Sequence, residues 1–302
     1  MYQEIVYTQG CWVGATGRAT QTTRMTPPGG TRYIGPHREV SVVSEEVVPA
    51  PRLRQYVSIC AHRGACELAP QNTIPAFEKA IELGCDSIEI DVQATADGEA
   101  VVIHNSTLDA TTNGTGEVSS FTLEQIRALD AGSKFSPRFA GTTIPTLAET
   151  FECCRGRAFV VLEVKRLSVD TLLRVINDCR ARDHVAILTG VDWLAELRAA
   201  DPGLPVMGQP WHVDEVMPVM DRLKPEYMLV RWKPGQPKNT FYPHIIAACH
   251  ARGAQICQNV LGEKDTPEGI RGVITAGVDF IETDKPDLAY RVAGEMGAVP
   301  PS

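Results

Sequence analysis

Two histidines and three carboxylates of this 302-residue sequence stand in or at the end of apolar runs. The run YVSICAH ends on His62, which Arg63 and Gly64 follow, and the run AVVIH ends on His104. Ionisable side chains at the tip of a buried strand cost desolvation free energy unless they meet ions or water. We therefore expect a polar site, able to hold an anion, where these strands end.

Two of the carboxylates belong to the segment DSIEIDVQ, in which Glu89 and Asp91 alternate with apolar residues. Period two places both carboxylates on one face of a strand, which is the inside of a barrel if the isoleucines pack on helices. Two carboxylates so close repel each other, so they either raise a pKa or attract a divalent cation. A pair of buried salt bridges is the alternative.

The segment VVLEVKR repeats this pattern and places Glu163 and Lys165 on one face of another strand. A third carboxylate then points inward. Glu89, Asp91 and Glu163 together offer three oxygen ligands to a hard cation and leave other positions for water and substrate oxygens. Lys165 adds a positive charge beside them.

His62 and His104 are suited to the cleavage of a phosphodiester. That reaction needs one group that removes a proton from the attacking oxygen and another that donates a proton to the leaving alkoxide, and imidazoles do both near neutral pH. Arg63 can fork onto phosphate oxygens, and a bound cation can neutralise developing charge. A lone histidine at a strand end is more often structural, but two histidines beside an acidic triplet favour catalysis.

Short apolar runs alternate with segments of helical period from residue 56 onward, which is typical of βα units around a parallel sheet. The second and third runs are joined by Ala96-Asp97-Gly98, which is too short for a parallel crossover and predicts a hairpin. The remaining runs predict a single (β/α)₈ TIM-type barrel. The predicted strands span residues 56–61, 86–92, 100–104, 158–164, 185–189, 205–208, 227–231, 254–258 and 279–283.

The chain divides at the point where this alternation begins. Residues 1–55 are rich in Thr, Gly, Pro and Arg and have no sustained period. We predict an N-terminal extension over 1–55 and a barrel domain over 56–302. The extension either packs over the barrel, joins subunits of a homo-oligomer, or forms a partly ordered tail.

Composition excludes several classes of protein. Hydrophobic residues make up 43% and charged residues 22%, as in a globular protein. The net charge of −8 argues against nucleic acid or an anionic membrane as a partner. No secretory signal opens the chain, and no segment reaches 18 uncharged apolar residues. The nine cysteines, among them Cys60, Cys179 and Cys249 in apolar patterns, predict buried, reduced thiols and a cytoplasmic location.

Five motifs occur in a fixed order between about residues 56 and 290: AHRGACELAPQNT, IEIDVQATADG, VVIHNSTLDATTNGTG, VLEVK and FIETDKPDL. Together they resemble the glycerophosphodiester phosphodiesterases. The resemblance implies a phosphodiesterase-type barrel that binds one divalent cation, Mg²⁺ or Ca²⁺, with Mn²⁺ as a further option. It also implies roles for particular residues: His62 and His104 as the acid/base pair, Glu89, Asp91 and Glu163 as metal ligands, and Arg63 and Lys165 as phosphate contacts.

The sequence departs from the family pattern at four positions. Gln71 and Asn105 stand where the family usually has Glu and Asp, so we expect lower metal affinity or lower histidine basicity than is usual. Asn259 stands where the family usually carries a Trp near the end of the penultimate strand. Glu282 stands where an apolar residue is usual.

Trp211, Arg231 and Lys233 follow predicted strands, on the barrel face where βα loops form active sites. We interpret these three residues, with Asn259, as candidates for recognition of a head group. Their chemistry predicts a preference for a more polar or additionally anionic head group. Surface loops with snorkelling basic stems are the alternative.

The resemblance implies a metal-dependent hydrolase that cleaves glycerophosphodiesters or related small phosphodiesters into an alcohol and a phosphomonoester of the glycerol 3-phosphate type. A lysophospholipase D-like activity lies within the same class. The competing hypothesis, suggested by Gln71 and Asn105, is a barrel that binds phosphodiesters or metal without turnover. The retained histidines and carboxylates favour catalysis. The expected partner is a small phosphodiester, with no nucleic acid and no stable membrane insertion.

Overall fold

The computed structural model describes residues 56–231 and 243–299 of the chain. Apolar and β-branched runs in these ranges form nine strands, because such side chains pack well on a sheet that is covered on both faces. The strands are β1 (Ser58–His62), β2 (Ser87–Ala94), β3 (Ala100–Val102), β4 (Phe159–Arg166), β5 (Val185–Leu188), β6 (Val206–Gly208), β7 (Tyr227–Val230), β8 (Gln255–Val260) and β9 (Phe280–Thr283).

Eight of these strands close into a parallel barrel. Their order is β1-β9-β8-β7-β6-β5-β4-β2, and β1 also pairs in parallel with β2, which completes the ring. The ninth, β3, pairs antiparallel with β2 and stands outside the ring. The predicted (β/α)₈ barrel and the predicted hairpin are therefore both confirmed.

Helices fill the connections between the parallel strands. Thr122 and Thr146 start two of them with capping boxes, and Gly277, with φ of 87°, ends another in the left-handed region that favours glycine. The helices in the described ranges are α1 (Ile74–Glu82), α2 (Leu123–Arg127), α3 (Leu147–Cys154), α4 (Val169–Asp178), α5 (Val191–Ala200), α6 (Val216–Leu223), α7 (Pro243–His250), α8 (Pro267–Ala276) and α9 (Pro286–Glu295).

The core has two layers, because alternate strand residues face the helices and the barrel axis. The larger layer packs strand residues such as Ile88 and Ile90 against the helices. The inner layer contains strand residues only, among them Tyr227, whose ring contacts those of Phe159 and Phe280 at centroid distances of 6.0 Å each. These rings fill the middle of the barrel, and the carboxylates of Glu89, Asp91 and Glu163 lie beyond them, toward the carboxyl ends of the strands.

Two strands share one edge of β2, and this brings both histidines toward the same place. Cα pairs join His62 to Glu89 between β1 and β2, while β3 pairs with β2 three residues further on, at Val92 and Val102. The amide of Ile103 then donates to the backbone oxygen of Asp91 (2.8 Å). His104 follows Ile103 directly, so it lies beside the segment that carries the carboxylates, as the hairpin predicted.

Some expectations fall on residues outside the described ranges, namely the extension over 1–55 and Lys233. Within the described ranges, no helix is long and apolar enough to cross a membrane. The eight cysteines of those ranges are free thiols. Cys60 and Cys249 are buried as expected, but Cys179 is half-buried because it directly follows the last residue of α4, at the helix terminus.

Candidate active site

Three carboxylates form a cluster at the carboxyl end of the barrel. Glu89 and Asp91 project inward from β2, and Asp91 pairs across the sheet with Glu163 of β4. One oxygen of each lies within 4.8 Å of the others. Glu89 and Asp91 are only 1% exposed. The fold thus brings the three predicted metal ligands together. Glu89 and Asp91 share one face of β2, as their spacing of two residues predicted.

Positive groups surround the cluster but do not satisfy all of it. Lys165 Nζ lies 2.7 Å from Glu163 Oε1 and 3.2 Å from Asp91 Oδ1. Burial lowers the pKa of Lys165, but the charges of Asp91 and Glu163 outweigh burial and raise it overall. Burial and then the charge of Asp91 raise the pKa of Glu89. Lys165 therefore stays positively charged beside Asp91 and Glu163, whereas Glu89 is costly to ionise without a further cation.

The cluster fits a hard divalent cation. Glu89 Oε1 is buried and has no hydrogen-bond partner among the residues of 56–231 and 243–299. A buried carboxylate oxygen without a partner costs free energy unless a cation meets it. An all-oxygen donor set suits Mg²⁺, Ca²⁺ or Mn²⁺. Glu89, Asp91 and Glu163 are the residues that would hold such an ion.

His62, at the end of β1, is fixed by a carboxylate that the sequence did not reveal. Its Nδ1 lies 2.7 Å from Asp284 Oδ1, just after β9, while its Nε2 lies 3.9 Å from both Glu89 Oε2 and Glu282 Oε1. Burial raises the pKa of Asp284, but the hydrogen bond and charge of His62 outweigh it, so the pKa falls to about 2. Asp284 is thus ionised and accepts a hydrogen bond from Nδ1–H of His62. The other ring nitrogen, Nε2, is left facing the carboxylates.

Asp284 is itself held in place by backbone groups. Its Oδ2 accepts from the amide of Gly262 (3.1 Å), and its own amide donates to Asp265 Oδ2 (2.8 Å). The signal in the sequence was the Thr283-Asp284 pair at the tip of the last barrel strand, which lies in the motif FIETDKPDL. Polar residues that directly follow a barrel strand belong to the catalytic face.

His104 is held by its neighbour and by one buried amide. Its Nδ1 lies 2.7 Å from Asn105 Oδ1, which accepts a hydrogen bond from Nδ1–H but carries no charge. Gln93 Nε2 donates to the backbone oxygens of Ile103 (3.0 Å), His104 (3.1 Å) and Asn105 (2.6 Å), and so fixes this turn to β2. Asn105 therefore keeps the orientation that an Asp would give and removes only the charge.

Arg63 contacts the carboxylate cluster by both backbone and side chain. Its amide donates to Glu89 Oε2 (3.1 Å), its Nε lies 3.2 Å from Asp91 Oδ2, and its Nη1 donates to Gln71 Oε1 (2.7 Å). Its φ of 56° is in the left-handed region, and a Cβ on Gly64 would lie 2.7 Å from the carbonyl carbon of Ala76. The turn after β1 thus needs glycine, and it aims Arg63 at the site.

Trp211 and Arg231, two of the residues predicted to contact a head group, lie at the same end of the barrel. The guanidinium of Arg231 stacks on Trp211 at 5.1 Å from the ring centroid, and its Nη2 lies 3.8 Å from Glu163 Oε1. With its amide oxygen turned toward Arg231, Gln209 accepts from both Nη2 and Nε (2.8 Å to Nε). Gln209 is a further residue that sequence reasoning missed. Trp211 is 56% exposed.

Asn259 and Glu282, two of the departures from the family pattern, are cross-strand neighbours. They pair between β8 and β9, and Glu282 is 5% exposed. Burial raises the pKa of Glu282, although the neighbouring His62 lowers it in part. Asn259 therefore lies on the barrel wall next to Glu282, a further acidic group of the site.

Comparison with known proteins identifies the family. The model of the Glycerophosphoryl diester phosphodiesterase family matches residues 62–227, more than half of the chain. A glycerophosphodiester phosphodiesterase of Caldanaerobacter subterraneus is 36% identical over 254 residues, which cover 79% of this chain and 98% of that protein. The chain belongs to the glycerophosphoryl diester phosphodiesterase family. It is accordingly an enzyme of the phosphoric diester hydrolase class.

Solved structures agree with this assignment. A glycerophosphodiester phosphodiesterase from Agrobacterium tumefaciens is 31% identical and superposes with a TM-score of 0.70 over 78% of this chain and 99% of that chain. A phosphodiesterase from Oleispira antarctica was solved in complex with the product sn-glycerol-3-phosphate. It is 21% identical and superposes with a TM-score of 0.71 over 79% of this chain and 97% of that chain. The second likeness supports the fold.

Proposed function

We propose that this protein hydrolyses glycerophosphodiesters, or closely related small phosphodiesters, to an alcohol and a phosphomonoester of the glycerol 3-phosphate type. The observation that carries the proposal is the convergence of His62, His104 and three inward carboxylates around the carboxyl end of β2. Relatives that cover the barrel are named for this activity. The barrel has the groups that such a reaction needs, at the face where barrel enzymes act.

The reaction depends on a divalent cation held by Glu89, Asp91 and Glu163. Such an ion, when bound, withdraws charge from the phosphoryl oxygens. Arg63 and Lys165 stand on either side of Asp91, at 3.2 Å each. They supply fixed positive charge toward the non-bridging oxygens, because guanidinium and ammonium groups donate well to phosphate.

The two histidines share the proton transfers. Nδ1–H of His62 donates a hydrogen bond to Asp284, and Nδ1–H of His104 donates one to Asn105. Each ring therefore uses Nε2 to exchange a proton with the substrate. One ring removes a proton from the attacking oxygen, and the other donates a proton to the leaving alkoxide. A neighbouring hydroxyl of the substrate or a water molecule can be that attacking oxygen.

Head-group contacts come from the Trp211–Arg231 platform, Asn259 and Lys233. Arg231 is 24% exposed in its side chain and close to Glu163, so it connects the platform to the metal cluster. A head group with an extra negative charge would gain a charge-assisted hydrogen bond there.

Turnover of glycerophosphocholine and of a chromogenic phosphodiester by wild type, His62→Asn and His104→Asn tests this function. We expect each variant to lose about 10²-fold or more in kcat, as for removal of a general acid or base. The matched control is His250→Gln, which removes a histidine paired with Asp279 (2.7 Å) before β9 and should leave kcat unchanged. If both histidine variants keep the kcat of the wild type, the two-histidine mechanism is excluded.

A barrel that binds phosphodiesters without turnover is the second candidate, because Gln71 and Asn105 are neutral where acidic residues are usual. Both still make the hydrogen bonds that orient Arg63 and His104. The same assay separates the two functions: binding of glycerophosphocholine by calorimetry with no product formed would favour the second.

A further inference from the structure

A thiol stands next to the His62–Asp284 pair, and the proposed function gives it no role. Cys66, in the turn after β1, has its Sγ 3.4 Å from Asp284 Oδ1 and 3.9 Å from the backbone oxygen of Asp284. One ligand atom each of His62, Cys66 and Asp284 lies within 4.8 Å of the others. These three residues are half-buried, so an ion from solvent can reach them.

The three side chains are fixed in this arrangement before any ion arrives. The amide of Cys66 donates to the backbone oxygen of Gly64 (2.8 Å), and the amide of Ala65 donates to that of Ala76 (3.0 Å), so the turn is tied to α1. Gly262 holds Asp284 Oδ2, which turns Oδ1 toward His62 and Cys66. Prior ordering of this kind lowers the entropic cost of binding.

The donor set differs in kind from that of the carboxylate cluster. One thiolate, one imidazole and one carboxylate suit a borderline-soft ion such as Zn²⁺, whereas Glu89, Asp91 and Glu163 offer oxygen only. Tetrahedral Zn²⁺ places its ligand atoms about 3.3–3.8 Å apart. The Cys66–Asp284 separation already falls in that range, and the His62–Asp284 contact of 2.7 Å would open by about half an ångström.

We propose that His62, Cys66 and Asp284 form a second metal site, selective for Zn²⁺-type ions over Mg²⁺ and Ca²⁺, and that its occupation inhibits the enzyme. The binding part is independent of the proposed function, and the inhibition part rests on it. Binding releases the thiol proton of Cys66. In a neutral His62 ring, the Nδ1 proton moves to Nε2 as Nδ1 ligates the ion.

Inhibition follows from this change of tautomer. Nε2 becomes an N–H donor and no longer accepts a proton, while Nδ1 is occupied by the ion. His62 is then unable to act as a base on the substrate. Zn²⁺ at this site would therefore lower kcat even when the carboxylate cluster is saturated with Mg²⁺.

Binding is tested by optical spectroscopy with Co²⁺ as a probe for Zn²⁺. We expect Co²⁺ added to the full chain in excess Mg²⁺ to give a near-ultraviolet thiolate-to-cobalt absorption at one equivalent, which Zn²⁺ then abolishes. Cys66→Ser should lose that band. The matched control is Cys153→Ser, which changes another half-buried thiol that contacts a carboxylate, Glu78, at 3.5 Å, and it should keep the band. A band that survives in Cys66→Ser would overturn the proposal.

Inhibition is tested by comparing each protein with itself, with and without Zn²⁺ in excess Mg²⁺. The Zn²⁺ concentration that halves turnover should rise at least about tenfold in Cys66→Ser and stay unchanged in Cys153→Ser, since even loss of an outer partner of a metal ligand costs 10–100-fold in affinity. Equal inhibition of all three proteins would place the inhibitory ion elsewhere and overturn the second half of the proposal. An inactive wild type that shows the cobalt band would refute the proposed function alone.

Discussion

His62 Nδ1 lies 2.7 Å from Asp284 Oδ1, although 222 residues separate the two in the chain. The contact exists because β1 and β9 are neighbours in the closed barrel, so the residues at their tips meet. An ionised aspartate on Nδ1 fixes both the tautomer and the plane of the ring. Asp284 thereby acts as a positioning residue for His62.

Asp284→Asn is expected to lower kcat by about 10²-fold or more while KM changes little, because an amide lacks the negative charge that stabilises the protonated ring. Steady-state kinetics on glycerophosphocholine would measure this. His250→Gln serves as the control for loss of a histidine–aspartate pair outside the site. A fall in kcat shared by both variants would point to general destabilisation instead.

The same carboxylate gives a pH dependence of stability. The pKa of Asp284 drops from 3.8 to about 2 on folding, so its stabilising effect is complete above pH 4 and is lost as pH falls through 2. The shift corresponds to about 2 kcal/mol at pH 6 and about 1 kcal/mol at pH 3.

Urea unfolding at pH 6 and pH 3 would check this. The difference in free energy of unfolding between wild type and Asp284→Asn should narrow by about 1 kcal/mol at the lower pH. A difference that stays constant or widens would show that the aspartate does not gain its stability from the charged form.

Removal of divalent cations is expected to abolish turnover, and addition of Mg²⁺, Ca²⁺ or Mn²⁺ should restore it. Glu163→Gln should weaken cation binding by about tenfold or more, because it removes one of three charged ligands but keeps the shape of the side chain. Calorimetric titration of the metal measures this without reference to activity. Full activity after exhaustive chelation, with no metal found in the protein, would refute metal dependence.

Substrate preference is expected to favour a polar or additionally anionic head group. Arg231→Ala should lower kcat/KM for glycerophosphoinositol and glycerophosphoglycerol phosphate about tenfold or more relative to glycerophosphocholine, since it removes one charge-assisted hydrogen bond worth about 1.5–3 kcal/mol. Lys233→Ala tests the second predicted basic residue. Arg222→Ala, whose partner is Asp192 (2.7 Å), is a control outside the platform. A wild-type preference for the choline ester that Arg231→Ala leaves unchanged would contradict this prediction.

Deletion of residues 1–50 is expected to leave a folded barrel. Strand β1 begins at Ser58 and already pairs with both β2 and β9, so the described residues close the ring on their own. Thermal unfolding of the truncated chain should remain cooperative, and light scattering would report whether the subunit number changes. An insoluble product, or a melt without a transition, would place the extension in the core.

Local pattern in the sequence was enough to predict much of the fold and of the acidic cluster. Alternation with period two fixes which side chains share a strand face, so Glu89 and Asp91 had to point together, and a three-residue turn had to give a hairpin. The order of βα units indicated the barrel because right-handed parallel crossovers leave few alternatives.

Only the tertiary structure decided the partners of each functional group. Asp284 reaches His62, Gln209 reaches Arg231, and Cys66 joins the His62–Asp284 pair because barrel closure brings distant strand tips to one rim. The local sequence pattern predicts which side chains follow a strand. It does not predict the register and the angle at which neighbouring strands pair. Contacts of 3 Å depend on those two quantities, and they are set by how the whole core packs.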